Sequence, residues 1–320
     1  MKVLKFGGSS VGTGERISKV ASLVKAAAET DRIAVVLSAM QGTTDRLIDA
    51  GRLAGAGDDG YLEKIHEIEL QIENAVSTVF KDSVPVELSV FIEHAIDEVE
   101  SICEGVRRVG ELSGRTLDRI LSFGELVSSR VLFERLSIDG ISVEWADSRD
   151  LIRTDKRYGS AMVDSSRTYT QIIERIESSD SRIFILPGFI GSAPDGSTTT
   201  LGRGGSDYTA ALVAASVDAD LLEIWTDVSG MMSADPRYVR NVRQIASINY
   251  LEAMELSHFG AKVIYPPTIQ PVMAKGIPLR IKNTFQPADP GTLVEAVSTD
   301  RSNIIRGISS IDGIAVLSLE

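Results

Sequence analysis

Apolar residues arrive first in short blocks and then at helical spacing. Met1 to Phe6 is a strand-sized run that ends at Gly7-Gly8, and from about Gly14 to Ala28 the positions Ile17, Val20, Ala21 and Val24 predict an amphipathic helix. Ile33-Ala34-Val35-Val36-Leu37 has no polar position at all. That is the pattern of a strand covered on both faces of a parallel sheet. From about Tyr61 to Gly110 the period changes: Ile92, Ile96, Val99, Cys103 and Val106 alternate steps of four and three, which predicts a helical hairpin packed on the main body. Further strands are expected at Ile141 to Trp145, Arg182 to Leu186, Leu221 to Trp225 and Pro278 to Lys282, with helices between most of them. Asp195-Gly196 predicts a tight turn between two short strands within Phe189 to Leu201. Alternation of this kind predicts an α/β protein, a three-layer αβα sandwich with a mainly parallel central sheet. The proline-rich stretch from Pro287 to Gly291 reads as a boundary, and Ile304 to Ser309 and Ile314 to Leu319 read as a strand-sized pair beyond it.

Composition narrows the chemistry. A chain of 320 residues that is 43% apolar can build a large core, and a net charge of −12 argues against nucleic acid or an anionic membrane as partner. Any site for an anion must therefore gather its lysines and arginines locally. One cysteine, Cys103, forms no internal disulfide, and neither a membrane-length apolar run nor a signal segment is apparent, so the cytoplasm is the expected location. Three scattered histidines leave no clustered metal site. Lys, Arg, Asp, Glu and hydroxyls must carry the reaction.

The most informative stretch is Leu201-Gly202-Arg203-Gly204-Gly205-Ser206-Asp207, directly before the apolar run that begins at Tyr208. A helix start offers unpaired N–H groups, glycines admit a close anion, and Arg203 can grip a carboxylate or phosphate with two parallel hydrogen bonds. A purely steric glycine turn is the alternative. Lys5-Phe6-Gly7-Gly8 sets a lysine near the end of a buried strand, where its ammonium needs an anion unless the strand is an edge and the stem reaches water. The stretch is neither a P-loop, since Thr13 stands where that motif requires lysine, nor a GxGxxG turn. Thr44 follows the second strand, where open α/β sheets bind ligands, and can equally serve to start a helix. Glu125 falls at the rim of a helical apolar stripe and wants a cation, such as a substrate ammonium, unless it is simply solvated. Thr226-Asp227 at a strand end and Asp235-Pro236-Arg237 beyond it suit either a nucleotide loop or a structural turn. Lys262, in Phe259-Gly260-Ala261-Lys262-Val263, can reach a phosphate or compensate a helix end.

Taken in order, Lys5 to Val11, Gly202 to Asp207, Trp225-Thr226-Asp227-Val228 and Phe259 to Lys262 resemble the aspartate kinases of the amino-acid kinase family, from Met1 to about Thr292. The resemblance implies transfer of the ATP γ-phosphoryl group to the side-chain carboxylate of L-aspartate, with Mg²⁺ accompanying the nucleotide, as the first step toward lysine, threonine and methionine. It implies that Lys5 and Lys262 neutralise phosphates and that Asp207 orients the lysines and reacting groups. Arg203 would hold the substrate carboxylate, Glu125 its ammonium, and Thr44 and Ser206 would lie beside the acceptor. Gly7, Gly8, Thr226, Asp227, Met232 and Arg237 would line the nucleotide side, and no side chain is implied as a dedicated metal ligand.

The same resemblance implies a catalytic domain over 1–295, with a substrate lobe to about 190 and a nucleotide lobe over 191–295. Residues 300–320 would open an ACT-like regulatory domain that is incomplete here, in a homodimer or with a separate regulatory subunit, and the chain alone would be insensitive to lysine or threonine. Four positions depart from the family pattern: Asp45 replaces an asparagine, Met232 a tyrosine, Tyr265 the histidine of a His-Pro pair, and Pro267 the arginine that follows that pair. The alternatives are a relative acting on glutamate, N-acetylglutamate, carbamate or a nucleotide monophosphate, or a sensing module that has kept the fold without the reaction.

Overall fold

The continuous apolar runs become the middle of one sheet. The computed structural model describes residues 1–81, 83–235, 237–258, 264–298 and 305–310. In chain order the elements begin β1 (Lys2–Phe6), α1 (Gly14–Ala28), β2 (Ile33–Leu37), α2 (Thr43–Gly55), α3 (Tyr61–Phe80), α4 (Val86–Val109) and α5 (Gly114–Ile138). They continue with β3 (Val143–Trp145), α6 (Ser148–Leu151), α7 (Ser165–Glu177), β4 (Ile183–Pro187), β5 (Ile190–Ser192), β6 (Thr198–Thr200) and α8 (Gly205–Ser216). The last are β7 (Leu221–Thr226), β8 (Ser247–Asn249), α9 (Tyr250–His258), α10 (Gln270–Lys275), β9 (Leu279–Asn283) and β10 (Thr292–Glu295).

The main sheet has eight strands in the order β3-β4-β2-β1-β7-β9-β10-β8, parallel at every pairing except β9 with β10. β1 is central, paired with β2 on one side and β7 on the other. Successive side chains of a strand leave by opposite faces. Leu4 and Phe6 join a core cluster with α1, α2 and α5, whereas Val3 packs with α7, α8 and α10 on the other face. Lys5 is in register with Val3 and therefore points toward α8. The sheet between two helical layers is the three-layer α/β sandwich that the alternation predicts.

α3 and α4 form the expected helical hairpin, and β5 and β6 pair as a small antiparallel hairpin whose turn carries Asp195 and Gly196. There the Asp195 carboxylate accepts from the Ser197 N–H, and Gly196 sits at φ 78°. One boundary reads differently. Pro287 to Gly291 is the loop that turns the chain from β9 back into β10, so it lies inside the main sheet and the chain leaves that sheet only after Glu295. Of the two further strands expected, residues 305–310 have no regular secondary structure, and Ile314 to Leu319 lies outside the described residues.

Candidate active site

The sheet's central strands end beside one cavity of about 370 Å³. β1 delivers Lys5, with Nζ 2.7 Å from Asp207 Oδ1 in α8, and the two side chains are 12% and 13% exposed. The contact is an ion pair without hydrogen-bond alignment, because Asp207 Oδ1 has no hydrogen-bond partner among the described residues. A lysine inside a sheet is tolerated when an opposite charge meets it, and Asp207 is that charge. Past Lys5 the chain hugs its neighbours: the Gly7 N–H donates to the Trp225 carbonyl, and a Cβ on Gly8 would lie 2.9 Å from the Ala39 carbonyl oxygen. Only glycine fits there.

Two helices start at the cavity. α2 follows Gly42, whose φ of 82° belongs to the left-handed region, and α8 follows Gly204 at φ 71°. Each start presents unpaired N–H groups and the positive end of a helix dipole, which favours an anion. The start of α8 is held in place by contact, since a Cβ on Gly188 would meet Ser206 Cβ at 2.7 Å and one on Gly205 would meet the Phe189 ring at 2.7 Å.

From the opposite layer, α5 passes so close that a Cβ on Gly124 would lie 2.6 Å from Ala39 Cβ. Ser128 Oγ donates to the Ser38 carbonyl at 2.7 Å and ties the helix to the loop after β2. The next residue along from Gly124 is Glu125, 4% exposed, whose Oε2 has no hydrogen-bond partner among the described residues. Burial pushes its carboxyl up to about 8, while a backbone hydrogen bond from Ala39 and the Lys5 charge pull the other way. An acid in this state is poised for an incoming cation, which would draw it into the charged form.

Lys5, Gly8, Thr44, Glu125, Ser206 and Asp207 thus line a single cavity. Asp45 also reaches it, at the exposed mouth. Arg203 is exposed beside the cavity, its guanidinium carbon 6.0 Å from the centre of the Tyr265 ring. Gly7, Thr226 and Asp227 lie together where β1 and β7 end, with the Thr226 hydroxyl donating to Asp227 Oδ1 at 3.1 Å. Met232 is half-buried and bridges to Gln244, while Arg237 is exposed with its guanidinium on Asp235, Nη2 to Oδ2 at 2.6 Å. Lys262 lies outside the described residues.

Sequence reasoning passed over two residues here. Phe189 lines the cavity with a φ of 69°, unusual for a bulky side chain, and nothing in Gly188-Phe189 announces it. Asp118, 1% exposed, accepts from the Gly159 N–H and from both the N–H and hydroxyl of Thr200. Its signal was available: an acid seven residues before Glu125 lies on the same helical face. Among the described residues no group of three or more His, Cys, Asp or Glu side chains is placed to hold a metal ion, and no helix is long and apolar enough to cross a membrane.

The model of the amino acid kinase family matches residues 1–283. The bifunctional aspartokinase/homoserine dehydrogenase of Buchnera aphidicola subsp. Acyrthosiphon pisum is 34% identical over 323 residues, which is 100% of this chain and 39% of that protein. Aspartokinase 1, chloroplastic, of Arabidopsis thaliana is 32% identical over 96% of this chain and 54% of its own length. The chain therefore spans between two fifths and about half of these relatives. Escherichia coli aspartokinase III, solved in complex with aspartate and ADP in its R-state, superposes with a TM-score of 0.86 at 33% identity, covering 96% of this chain and 67% of that one. The UMP kinase of Ureaplasma parvum, 12% identical with a TM-score of 0.51, shares the fold.

Proposed function

The chain belongs to the amino-acid kinase family, and we propose that it carries an aspartokinase site, transferring the γ-phosphoryl group of ATP to the side-chain carboxylate of L-aspartate. The observation that carries this reading is Glu125, a buried carboxyl with an unpartnered oxygen in the same cavity as the Lys5–Asp207 pair. Such an acid selects an acceptor that brings its own ammonium. An acetylated amino acid or a nucleotide has none to offer. The complex of the E. coli relative with aspartate and ADP supports the same pair of substrates.

An ionised carboxylate is already a nucleophile, so the reaction needs no general base. One carboxylate oxygen attacks the γ-phosphorus in line, the bond to the bridging oxygen breaks, and ADP leaves with that electron pair. What the site must supply is charge and alignment between two mutually repelling anions. Lys5 and the start of α8 offer positive charge where it develops, Asp207 keeps the ammonium of Lys5 aimed, and Lys262 is the second cation in this reading. Arg203 would turn from Tyr265 to the substrate α-carboxylate, and Thr44 and Ser206 would contact the acceptor. Gly7, Gly8, Thr226, Asp227, Met232 and Arg237 would face the nucleotide.

Mg²⁺ would arrive with the nucleotide, held mainly by phosphate oxygens as is usual for this ion, and would neutralise phosphate charge. Asp207 is the wall carboxylate that suits it. In the same reading residues 1–295 are the catalytic domain, its substrate lobe to about 190 meeting the nucleotide lobe over 191–295, and the segment from 300 leads toward a regulatory module. Release of ADP measured with L-aspartate, L-glutamate, N-acetyl-L-glutamate, carbamate and a nucleoside monophosphate tests the assignment. Turnover is expected with L-aspartate, and a preference for any other of these acceptors would overturn it.

A further inference from the structure

We propose that Asp118 is a positioning residue for the amino-acid substrate, clamping the loop that carries Arg203 to the same helix that carries Glu125; the substrate named here rests on the function proposed above. Asp118 Oδ2 accepts from the Thr200 N–H at 2.8 Å and Oδ1 from the Thr200 hydroxyl at 2.8 Å, while the Gly159 N–H sits 3.0 Å from both oxygens. Every donor is directed at a carboxylate that is 1% exposed. Burial raises its pKa and the donors from Gly159 and Thr200 oppose that rise. Hydrogen bonds to a charged acceptor are the stronger kind, so this clamp is a firm one.

The position of the clamp matters more than its strength. Thr200 ends β6, and only Leu201, Gly202, Arg203 and Gly204 separate it from the first residue of α8. Gly202 and Gly204 both have positive φ, 75° and 71°, so this short span is jointed on either side of Arg203. Its course is set by its anchors. One end is fixed where Gly205 packs on Phe189, and the other where Thr200 meets Asp118. The 157–161 turn is fastened to the same point, because the Ala161 N–H donates to the Thr200 carbonyl and Gly159 meets Asp118.

Asp118 and Glu125 are seven residues apart on α5, two turns along one face, or about 10 Å of helix rise. A single rigid element therefore sets where the acceptor's ammonium and its α-carboxylate are held. α8 has its own packing against Gly188 and Phe189, so Asp207 and Lys5 do not depend on the clamp.

Asp118→Asn tests this, because the amide removes the charge, keeps one acceptor oxygen for the Thr200 and Gly159 N–H groups, and reverses the bond to the Thr200 hydroxyl. The variant is expected to raise KM for L-aspartate about ten-fold, the loss of roughly one charged hydrogen bond, with KM for MgATP and kcat within about two-fold of wild type. Hydrogen exchange should accelerate at the amides of 199–204 and remain unchanged along α5 on the Glu125 side. Thr200→Val, which removes one donor from an otherwise intact clamp, should shift KM for L-aspartate in the same direction by less, and Thr200→Ser should restore it; these decide the matter if Asp118→Asn does not fold. Equal increases in both KM values, an unchanged KM for L-aspartate, or faster exchange over the whole of α5 would overturn the proposal. If the wild-type protein does not phosphorylate L-aspartate, the functional reading fails by itself, and the exchange pattern still judges the clamp.

Discussion

At the scale of single residues, the site rests on buried ionisable groups and the partners they meet. Lys5 sits where only an anion makes its ammonium tolerable, and Asp207 satisfies it without hydrogen-bond alignment, so the pair is free to rearrange around a phosphate. Lys5→Ala is expected to fold, since water can enter the cavity to solvate Asp207, and to lower kcat by about 10²–10³-fold, the usual loss for one electrostatic contact to a transition state. Circular dichroism with steady-state kinetics checks both halves; near-normal turnover would remove Lys5 from the reaction.

Glu125 gives a pH signature. Its folded-state pKa, about 8, lies above the ordinary value of 4.5, so the ligand-free protein takes up a proton there on folding. Stability from this source is present at low pH and is lost as pH climbs from about 4.5 to about 8, because the unfolded chain binds fewer protons in that window. Binding an ammonium requires the charged form, so kcat/KM for the amino acid should rise with pH, pass its midpoint at about 8 and level off only above that. Glu125→Gln should flatten both the thermal-stability profile and the rate profile. A rate profile that keeps its shape in the variant would assign the titration to another group. The sequence placed Glu125 at the rim of a stripe, and the structure buries it, because α5 is covered from both sides between Ile120 and Ser129. Period alone cannot register a second covering layer.

At the scale of elements, backbone proximity makes the cavity. α5 crosses the loop after β2 with Gly124 against Ala39, and α8 begins with Gly205 against Phe189. Gly124→Ala should force the 2.6 Å contact apart and destabilise the fold by about 1–3 kcal/mol, the range for overpacking, while also raising KM for the amino acid by displacing Glu125. Chemical denaturation and kinetics on one preparation test it, and an unchanged midpoint would show that the helix has room to shift. Most elements were legible because their patterns were unambiguous: Ile33 to Leu37 has no polar position and became a fully buried strand, and Ile17, Val20 and Val24 became the buried face of α1. β10 was not. Proline and glycine before Thr292 mark a break in local propensity, yet the chain returns to the sheet through a long-range pairing with β9 that no local pattern encodes.

At the scale of the whole molecule, the central strands β2, β1 and β7 carry the loops of interest at their carboxyl ends, and helices from both layers reach over that edge. This is why residues as distant as Lys5, Glu125 and Asp207 share one cavity. Their convergence was legible only through the order of the motifs, since spacing on its own left each of them with a structural alternative. The positions of Asp118 and Phe189 depend on tertiary contacts with Thr200 and Gly205, which exist only once the sheet has formed. In the proposed reaction a body of net charge −12 has to bind two anions with local cations, so added salt should weaken apparent MgATP affinity through Lys5 and its partners. The most direct test of the central claim is trapping with hydroxylamine in the presence of L-aspartate and MgATP. Formation of aspartyl hydroxamate by the wild-type protein, lost in Lys5→Ala, is the predicted result; ADP production without hydroxamate, or equal hydroxamate from both proteins, would contradict it.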